Sequence, residues 1–514
     1  MDALDRDACF RALRTRDARF DGRFFTAVKT TGIYCRPICP ARPPKPENVD
    51  FYATAAACEA AGFRSCLRCR PEASPDHAVW RGASVTVSRA CALIADGALD
   101  GEGASVADLA DRLGVGERHL RRLFLKHLGA APLSVAQTRR VAFAKRLIDG
   151  TTLSMAEIAL ASGFNSVRRF NDAFLQLYGR APGALRRERK TAPPAVPGEA
   201  ITLLLPYRAP YDWAAMLAFL RTRALDGLES VEDDRYRRTF TFGDTAGAVE
   251  VSHAGDRAAL RVAVRTADPR ALGPVAARVR RVFDLDADIG VIEGHLAADP
   301  LLGPLIAARP GLRAPGGWDG FELAIRAVLG QQVTLAAARD LGRRLVAGFG
   351  APLDAGATGH TGLSRAFPTP DALIDADLTV LGMPGARALA LSALARATLD
   401  DPRLFHPHRS LQEAVDRLRA IPGVGEWTAQ YVALRALRLP DAFPAADVGL
   451  LRAAVDAEGR RPTSQALLAR SEAWRPWRAY AAQHLWSADP AAPTTPTVRP
   501  LRKVPHEDAR APAA

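Results

Sequence analysis

No cysteine follows Cys91 in this 514-residue chain, and all seven lie at or before that point. Thiolate-ligated cofactors are therefore excluded from the last four-fifths of the sequence. No run approaches the ~18 apolar residues of a membrane-spanning helix. The opening MDALDRDACFRALRTRD is charged and lacks an apolar segment, so no secretory signal is read and no membrane partner is expected. The expectation is a cytoplasmic protein, in which structural disulfides are disfavoured and clustered cysteines point to a metal or to thiol chemistry. Disorder is excluded as well, because 48% of residues are hydrophobic and 24% charged. At ~100–200 residues per domain the length suggests three or four domains.

Charge is unevenly placed. Residues 1–190 hold 31 of the 69 Lys and Arg and 20 of the 56 Asp and Glu, a surplus of 31 − 20 = 11 positive charges. The remainder holds 38 and 36, a surplus of two. A polyanion is thus expected at the N-terminal third.

Composition divides the chain. Residues 1–80 carry the cysteine cluster and the Pro-rich CRPICPARPPKP, and residues 84–190 are helical in period. TAPPAVPGEA (191–200) is a linker. Residues 201–285 read as strand ITLLLPY, helix YDWAAMLAFLRTRAL, then strands RRTFTF, AVEVSH and ALRVAV with HAGD as a turn. Residues 286–490 are helical again, DAGATGHTG (354–362) reads as a loop insertion, and 491–514 as a disordered tail.

Cys35 and Cys39 flank three residues, Cys66 and Cys69 flank two, and 26 residues separate the pairs. Two such pairs can wrap one tetrahedral ion, with zinc at ~2.3 Å from each sulfur as the default and iron as the alternative. Spacing alone leaves a purely structural ribbon open. Cys9, Cys58 and Cys91 lack such spacing and read as small buried hydrophobes. The strings FFTAVKTTGIYCRPICPAR and ENVDFYATAAACEAAGFRSCLRC resemble the N-terminal module of the Ada-type adaptive-response regulators. That resemblance implies that Cys35 accepts a methyl group from DNA methylphosphotriesters, while Cys39, Cys66 and Cys69 complete a zinc site.

SVADLADRLGVGERHLRRLFLKHLG places Leu120, Phe124 and Leu128 on one helical face and exposes Arg118, His119, Arg121, Arg122 and Lys126. A second copy, SMAEIALASGFNSVRRFNDAFLQLYGRAPGALRR, buries Phe170 and Phe174 and exposes Asn165, Ser166, Arg168 and Arg169. Two copies ending in a GF…F…F…G..P string resemble the AraC-type DNA-binding domain. The resemblance implies two recognition helices in major grooves about one turn (~34 Å) apart, with RNA polymerase as a further partner.

In LRAIPGVGEWTAQYVALRAL, Pro422–Gly425 is a tight hairpin between helices, and Gly423 and Gly425 let backbone N–H groups approach a phosphate. Many such hairpins only bind DNA. Asp447 follows about 20 residues on, in FPAADVGLLRA, and hairpin plus aspartate resemble the base-excision glycosylases. YDWAAMLAFLRTRAL, RAVLGQQVTLAAA and WRPWRAYAAQHLW resemble the 3-methyladenine DNA glycosylase II family over most of 201–490.

The resemblance implies that Asp447 stabilises an oxocarbenium-like sugar and that Trp427, Tyr431, Trp486 and Phe219 line the base pocket. It also puts Gln332 at the position that wedges the duplex. Alkylated purines are cationic, and an aromatic box attracts a cation by ~0.5–2 kcal/mol. Relatives that also cut the strand carry a lysine where Trp427 stands, so monofunctional chemistry is expected. The family's hairpin carbonyls commonly hold a monovalent cation. Some relatives bind an iron–sulfur cluster, which this chain has no cysteines to hold there. No PCHR motif is present, so no O6-methylguanine transferase is expected. Trp213, Trp474 and Trp477 are assigned to the core, and Arg223 is given no role.

The expected architecture is multidomain and mainly α with α+β parts. It comprises a small zinc-thiolate α/β module, an all-α double helix-turn-helix, an α+β subdomain and an all-α helix-hairpin-helix glycosylase domain. The expected function is an alkylation-damage response protein on double-stranded, alkylated and promoter DNA, nucleoid-associated, joining methyl acceptance to excision of 3-methyladenine and related bases. The alternative is a transcription regulator whose glycosylase-like half is catalytically silent.

Overall fold

A computed structural model of the chain describes residues 5–74, 85–100, 103–187 and 200–489, except 407, 409 and 457. Residues 191–199 of the expected linker and the expected tail 491–514 lie outside the described residues.

The N-terminal module is a four-stranded sheet in the order Val49–Tyr52, Phe25–Val28, Ile33–Cys35, Arg64–Ser65, flanked by helices Arg6–Thr15 and Ala55–Ala60. The hairpin pairs Thr26 with Cys35, and its turn uses Gly32 at φ +65°. Sequence period 2 is weak here because the strands are short. Cys35 ends one of them, and its hairpin fixes where that sulfur sits.

Both helix-turn-helix units form where the patterns place them. Helices Val106–Arg112 and Glu117–Leu128 make the first, and Met155–Ala161 and Val167–Tyr178 the second, joined by Pro132–Gly150. Ser105, Ser154 and Ser166 cap helix starts with their hydroxyls, and Ser154 with Glu157 completes a capping box. Gly114 and Gly163 take φ +67° and +79° in the two turns, a conformation costly for any residue with a Cβ.

An antiparallel five-stranded sheet follows, ordered Ile201–Pro206, Ala259–Thr266, Thr245–Ala254, Arg235–Phe242, Glu229–Glu232. Helices Trp213–Arg221 and Leu272–Val282 pack on it. The last strand, Glu229–Glu232, was not expected. Its buried Glu229 accepts from the Tyr236 hydroxyl at 2.7 Å and pairs with Arg326 at 2.7 Å and Arg238 at 3.2 Å. The 354–362 stretch also departs from expectation. It forms a helical turn, Ala355–Thr358, that buries Thr358, and chain flanking it bridges Pro352 to Arg365 and Gly227 to Leu363.

The remaining helices, Ile289–Leu296 through Arg478–Ala488, share one core that includes Trp474 and Trp477, while Trp213 is buried in the sheet subdomain. That second core is continuous with the second helix-turn-helix, joining Ile158, Phe170 and Phe174 to Leu203, Val262 and Val275.

The N-terminal module is seated on both neighbours. Thr54 Oγ1 donates to the Leu128 carbonyl at 2.7 Å, which ends the first recognition helix. Arg23 pairs with Asp288 at 2.9 Å, and buried Arg208 donates to the Gly22 carbonyl at 3.1 Å. A cavity of about 320 Å³ lies in the seam, lined by Tyr34, Glu59, Thr138, Arg146, Arg280 and Tyr480 among others. Among the described residues no helix is long and apolar enough to cross a membrane.

Candidate functional sites

The four sulfurs of Cys35, Cys39, Cys66 and Cys69 all lie within 4.8 Å of one another, the arrangement a single tetrahedral ion requires. Left to themselves, four crowded thiols share protons. Sulfur-to-sulfur hydrogen bonds push Cys35 and Cys69 up and hold Cys39 and Cys66 down. A divalent ion removes that conflict, so the donor set fits Zn2+.

The four are not equivalent. Cys39, Cys66 and Cys69 are 5, 9 and 8% exposed, whereas Cys35 is more accessible. The Arg36 amide donates to Cys69 Sγ at 3.3 Å, and backbone N–H groups also face Cys39 and Cys66. No described hydrogen bond from a backbone N–H reaches Cys35. A thiolate relieved of N–H donors is the more basic and the better nucleophile. Arg36 itself is clamped bidentately by Asp21, which fixes the residue after Cys35. Burial pushes the Cys9 thiol up to about 11 and Cys91 up to about 12, and Cys58 well above its ordinary value. Those three are protonated and inert at neutral pH.

Behind the cysteines, Tyr34 donates its hydroxyl to Glu59 Oε1 at 2.8 Å, and Thr138 of the inter-unit helix donates to the other oxygen. Burial pushes the Glu59 carboxyl up to about 7. Because this carboxyl protonates more readily in the folded chain, its contribution is fully present below pH ~4.3 and up to ~3 kcal/mol is lost as pH rises to about 7. Thermal unfolding of the wild-type chain should therefore lose stability across that window relative to Glu59→Gln. Parallel pH curves for the two would contradict it.

Arg118, Arg121 and Arg122 on the first recognition helix, and Asn165, Arg168 and Arg169 at the start of the second, are all exposed. Leu120, Phe124, Phe170 and Phe174 are buried beneath them. Ser166 caps the second helix by accepting from Arg169 N at 3.2 Å.

In the C-terminal half, helices Leu411–Arg419 and Glu426–Arg435 flank the hairpin. Gly423 has φ +85° and an added Cβ would sit 2.3 Å from that of Ala390, so both torsion and space demand glycine. Gly425 begins the next helix with open space beside it, leaving first-turn N–H groups free to meet a phosphate. The carbonyls of Ile421 and Gly423 accept from Val424 N and Gln331 Nε2 at 3.0 Å each. Gln332 is exposed at φ +53°, projecting from a turn that Arg387 braces through the Gln331 carbonyl at 2.6 Å.

Asp447 precedes helix Val448–Ala453 and receives four N–H groups. Oδ1 accepts from Gly449 N at 2.9 Å, Leu450 N at 3.1 Å and Trp486 Nε1 at 2.8 Å, and Oδ2 from Trp427 Nε1 at 2.7 Å. Both indoles are thereby aimed by the carboxylate. Trp427 stacks on Tyr431 with centroids 5.3 Å apart, and Tyr431 meets Trp486 edge-on at 6.1 Å. Phe219 joins this cluster through Arg435, whose guanidinium lies 4.8 Å from the Phe219 ring and 4.9 Å from that of Trp486.

The sequence reading missed Arg435, although it sits four residues after Tyr431 on the same helical face. It left Arg223 unassigned, four residues after Phe219, yet its guanidinium is 3.9 Å from that ring. Two cations of the chain thus already lie against Phe219, Tyr431 and Trp486.

Four family profiles match the sequence: the metal-binding domain of Ada (8–72), a helix-turn-helix domain (109–188), the AlkA N-terminal domain (202–319) and the HhH-GPD superfamily of base excision DNA repair proteins (325–479). A Mycobacterium tuberculosis protein, "Probable bifunctional transcriptional activator/DNA repair enzyme AlkA", is 42% identical over 94% of this chain and 96% of its own length. The DNA-3-methyladenine glycosylase 2 of Escherichia coli is 36% identical over 55% of this chain and 95% of its own. The bifunctional transcriptional activator/DNA repair enzyme Ada of the same organism is 38% identical over 27% of this chain and 37% of its own.

Proposed function

The chain belongs to the family of bifunctional transcriptional activator/DNA repair enzymes, and from that premise we propose that it repairs alkylated DNA by two separate chemistries and reports the damage by one of them. The observation that carries the excision half is Asp447, a carboxylate whose two oxygens are fixed by two indoles and a helix start at the mouth of an aromatic cluster. The sensing half rests on the four-sulfur site in which Cys35 alone is half-buried and the other three cysteines are buried.

At the first site Cys35, Cys39, Cys66 and Cys69 would hold zinc, which would keep their sulfurs deprotonated at neutral pH. Cys35 Sγ attacks the methyl carbon of a methylphosphotriester. The C–O bond breaks, its electron pair stays on the phosphate oxygen, and Cys35 becomes a thioether. Its negative charge is gone, so the site repels the DNA backbone less and promoter binding tightens. Each chain reacts once. Arg118, Arg121, Arg122, Asn165, Arg168 and Arg169 then hold the promoter for RNA polymerase, which places the protein on the cytoplasmic nucleoid.

At the second site Gly423 and Gly425 hold the backbone, Gln332 fills the duplex, and the flipped base rests against Trp427, Tyr431, Trp486 and Phe219. Cleavage leaves the glycosidic electron pair on the base and positive charge on the sugar beside Asp447, and water then adds to the sugar carbon. The experiment is release of free 3-methyladenine from methylated duplex by the purified chain; no release would leave the C-terminal half a silent DNA-binding module. Chelating the zinc should abolish methyl transfer and unfold the N-terminal module while base release stays within a few-fold. Loss of release in parallel would show that excision depends on the module.

A further inference from the structure

Arg435 is 2% exposed, and it sits among Phe219, Tyr431 and Trp486 at 4.8, 5.7 and 4.9 Å. It is fixed by donating to the Pro315 carbonyl at 2.9 Å and Gln483 Oε1 at 2.8 Å, and its Nε has no partner. Arg223, half-buried, lies 3.9 Å over the other aromatic wall, Phe219, donating to the Phe219 carbonyl at 3.2 Å. Its own carbonyl is held by Arg326 at 3.1 Å. Both guanidiniums feel the Tyr431 phenol, and burial together with Arg223 and Arg438 pulls Arg435 down to about 10, which leaves it charged at neutral pH. Asp447 meets this cluster through Trp486, accepting its indole N–H at 2.8 Å while Arg435 lies 4.9 Å from the same ring.

A pocket built only to attract a cationic purine would leave its aromatic faces free. Here two fixed cations already lie against Phe219, Tyr431 and Trp486, and the Asp447 carboxylate is held by the Trp427 and Trp486 indoles, where the proposed reaction puts the sugar. Positive charge on the base is thus disfavoured, and positive charge on the sugar is favoured. We propose that Arg223 and Arg435 are specificity determinants that make the base end of the pocket electropositive, so that a cationic alkylpurine is held weakly before cleavage and driven to leave. When the glycosidic bond breaks, its electron pair neutralises the base and the charge moves to the sugar beside Asp447; water then adds to the sugar carbon and its proton passes to solvent. The repulsion is relieved only as the bond breaks, which raises the rate without tightening substrate binding. A neutral base feels no such repulsion before cleavage.

This inference rests on the excision reading above, and the test separates the two. Full-length wild type, Arg223→Gln and Arg435→Met are compared by single-turnover release and by binding, on one duplex with 7-methylguanine (cationic) and one with hypoxanthine (neutral). For the methylated duplex, Arg223→Gln should tighten binding several-fold and slow release by about tenfold or more. For the hypoxanthine duplex, binding should not tighten. Arg435→Lys, which keeps the charge, should restore the wild-type pattern relative to Arg435→Met, and the Arg223 arm decides alone if the Arg435 variants do not fold. Binding shifts in the same direction for both duplexes, or unchanged release of 7-methylguanine, would overturn the inference while leaving the excision activity standing. Wild type that releases neither base would instead remove the excision reading itself.

Discussion

Asp447→Asn should retain duplex binding within a few-fold and lose base release by at least ~10²–10³-fold, the range for removing one preorganised electrostatic group. The reason is partly charge and partly geometry. One side-chain oxygen of Asp447 serves three donors, the two backbone amides and the Trp486 indole, while the other serves Trp427 alone. An asparagine keeps its oxygen on the three-donor side, so its amide group meets the Trp427 N–H donor to donor. One indole loses its partner, at ~1–3 kcal/mol, and the sugar loses its counter-charge. Trp427→Phe separates these effects, since it removes the donor and keeps the carboxylate. It should slow release much less than Asp447→Asn. Single-turnover release from a duplex with one 3-methyladenine analogue or 7-methylguanine measures both. Equal rates for Asp447→Asn and wild type would take the carboxylate out of the reaction.

Cys35→Ser should abolish methyl transfer altogether, because an alcohol near neutral pH offers almost no alkoxide. Three thiolates remain at the site, so the module still folds around its ion, and base release continues. The readout is DNA affinity before and after exposure to methylphosphotriester DNA. Wild type should gain on the order of tenfold in promoter affinity, and the salt dependence should shift by about one phosphate contact, as expected when one negative charge beside the backbone is removed. The serine variant should gain nothing. A serine variant that still tightens on promoter after exposure would place the acceptor elsewhere.

Much of this was legible in the sequence because its signals are local. Helical period placed both helix-turn-helix units, two cysteine pairs pointed to the candidate metal site, and hairpin plus Asp447 pointed to the candidate excision site. What was not legible depends on partners far away in the chain. Strand Glu229–Glu232 carries a buried acid that makes sense only once Arg326, 97 residues on, is folded against it. Glu59 reads as a surface charge until Tyr34 and Thr138 enclose it. Arg223 and Arg435 each follow an aromatic residue by four positions, the one local hint available, but nothing local says that the two helices bring them to the same aromatic cluster. Nor does composition foresee that the second helix-turn-helix shares a core with the neighbouring sheet.

The most direct test of the account is peptide mass mapping of the zinc-loaded chain after incubation with methylphosphotriester DNA. The predicted result is a gain of about 14 Da, one methyl replacing one proton, on the peptide that contains Cys35 and on no other. A gain on the peptides of Cys39, Cys66 or Cys69, or no gain while zinc remains bound, would contradict it.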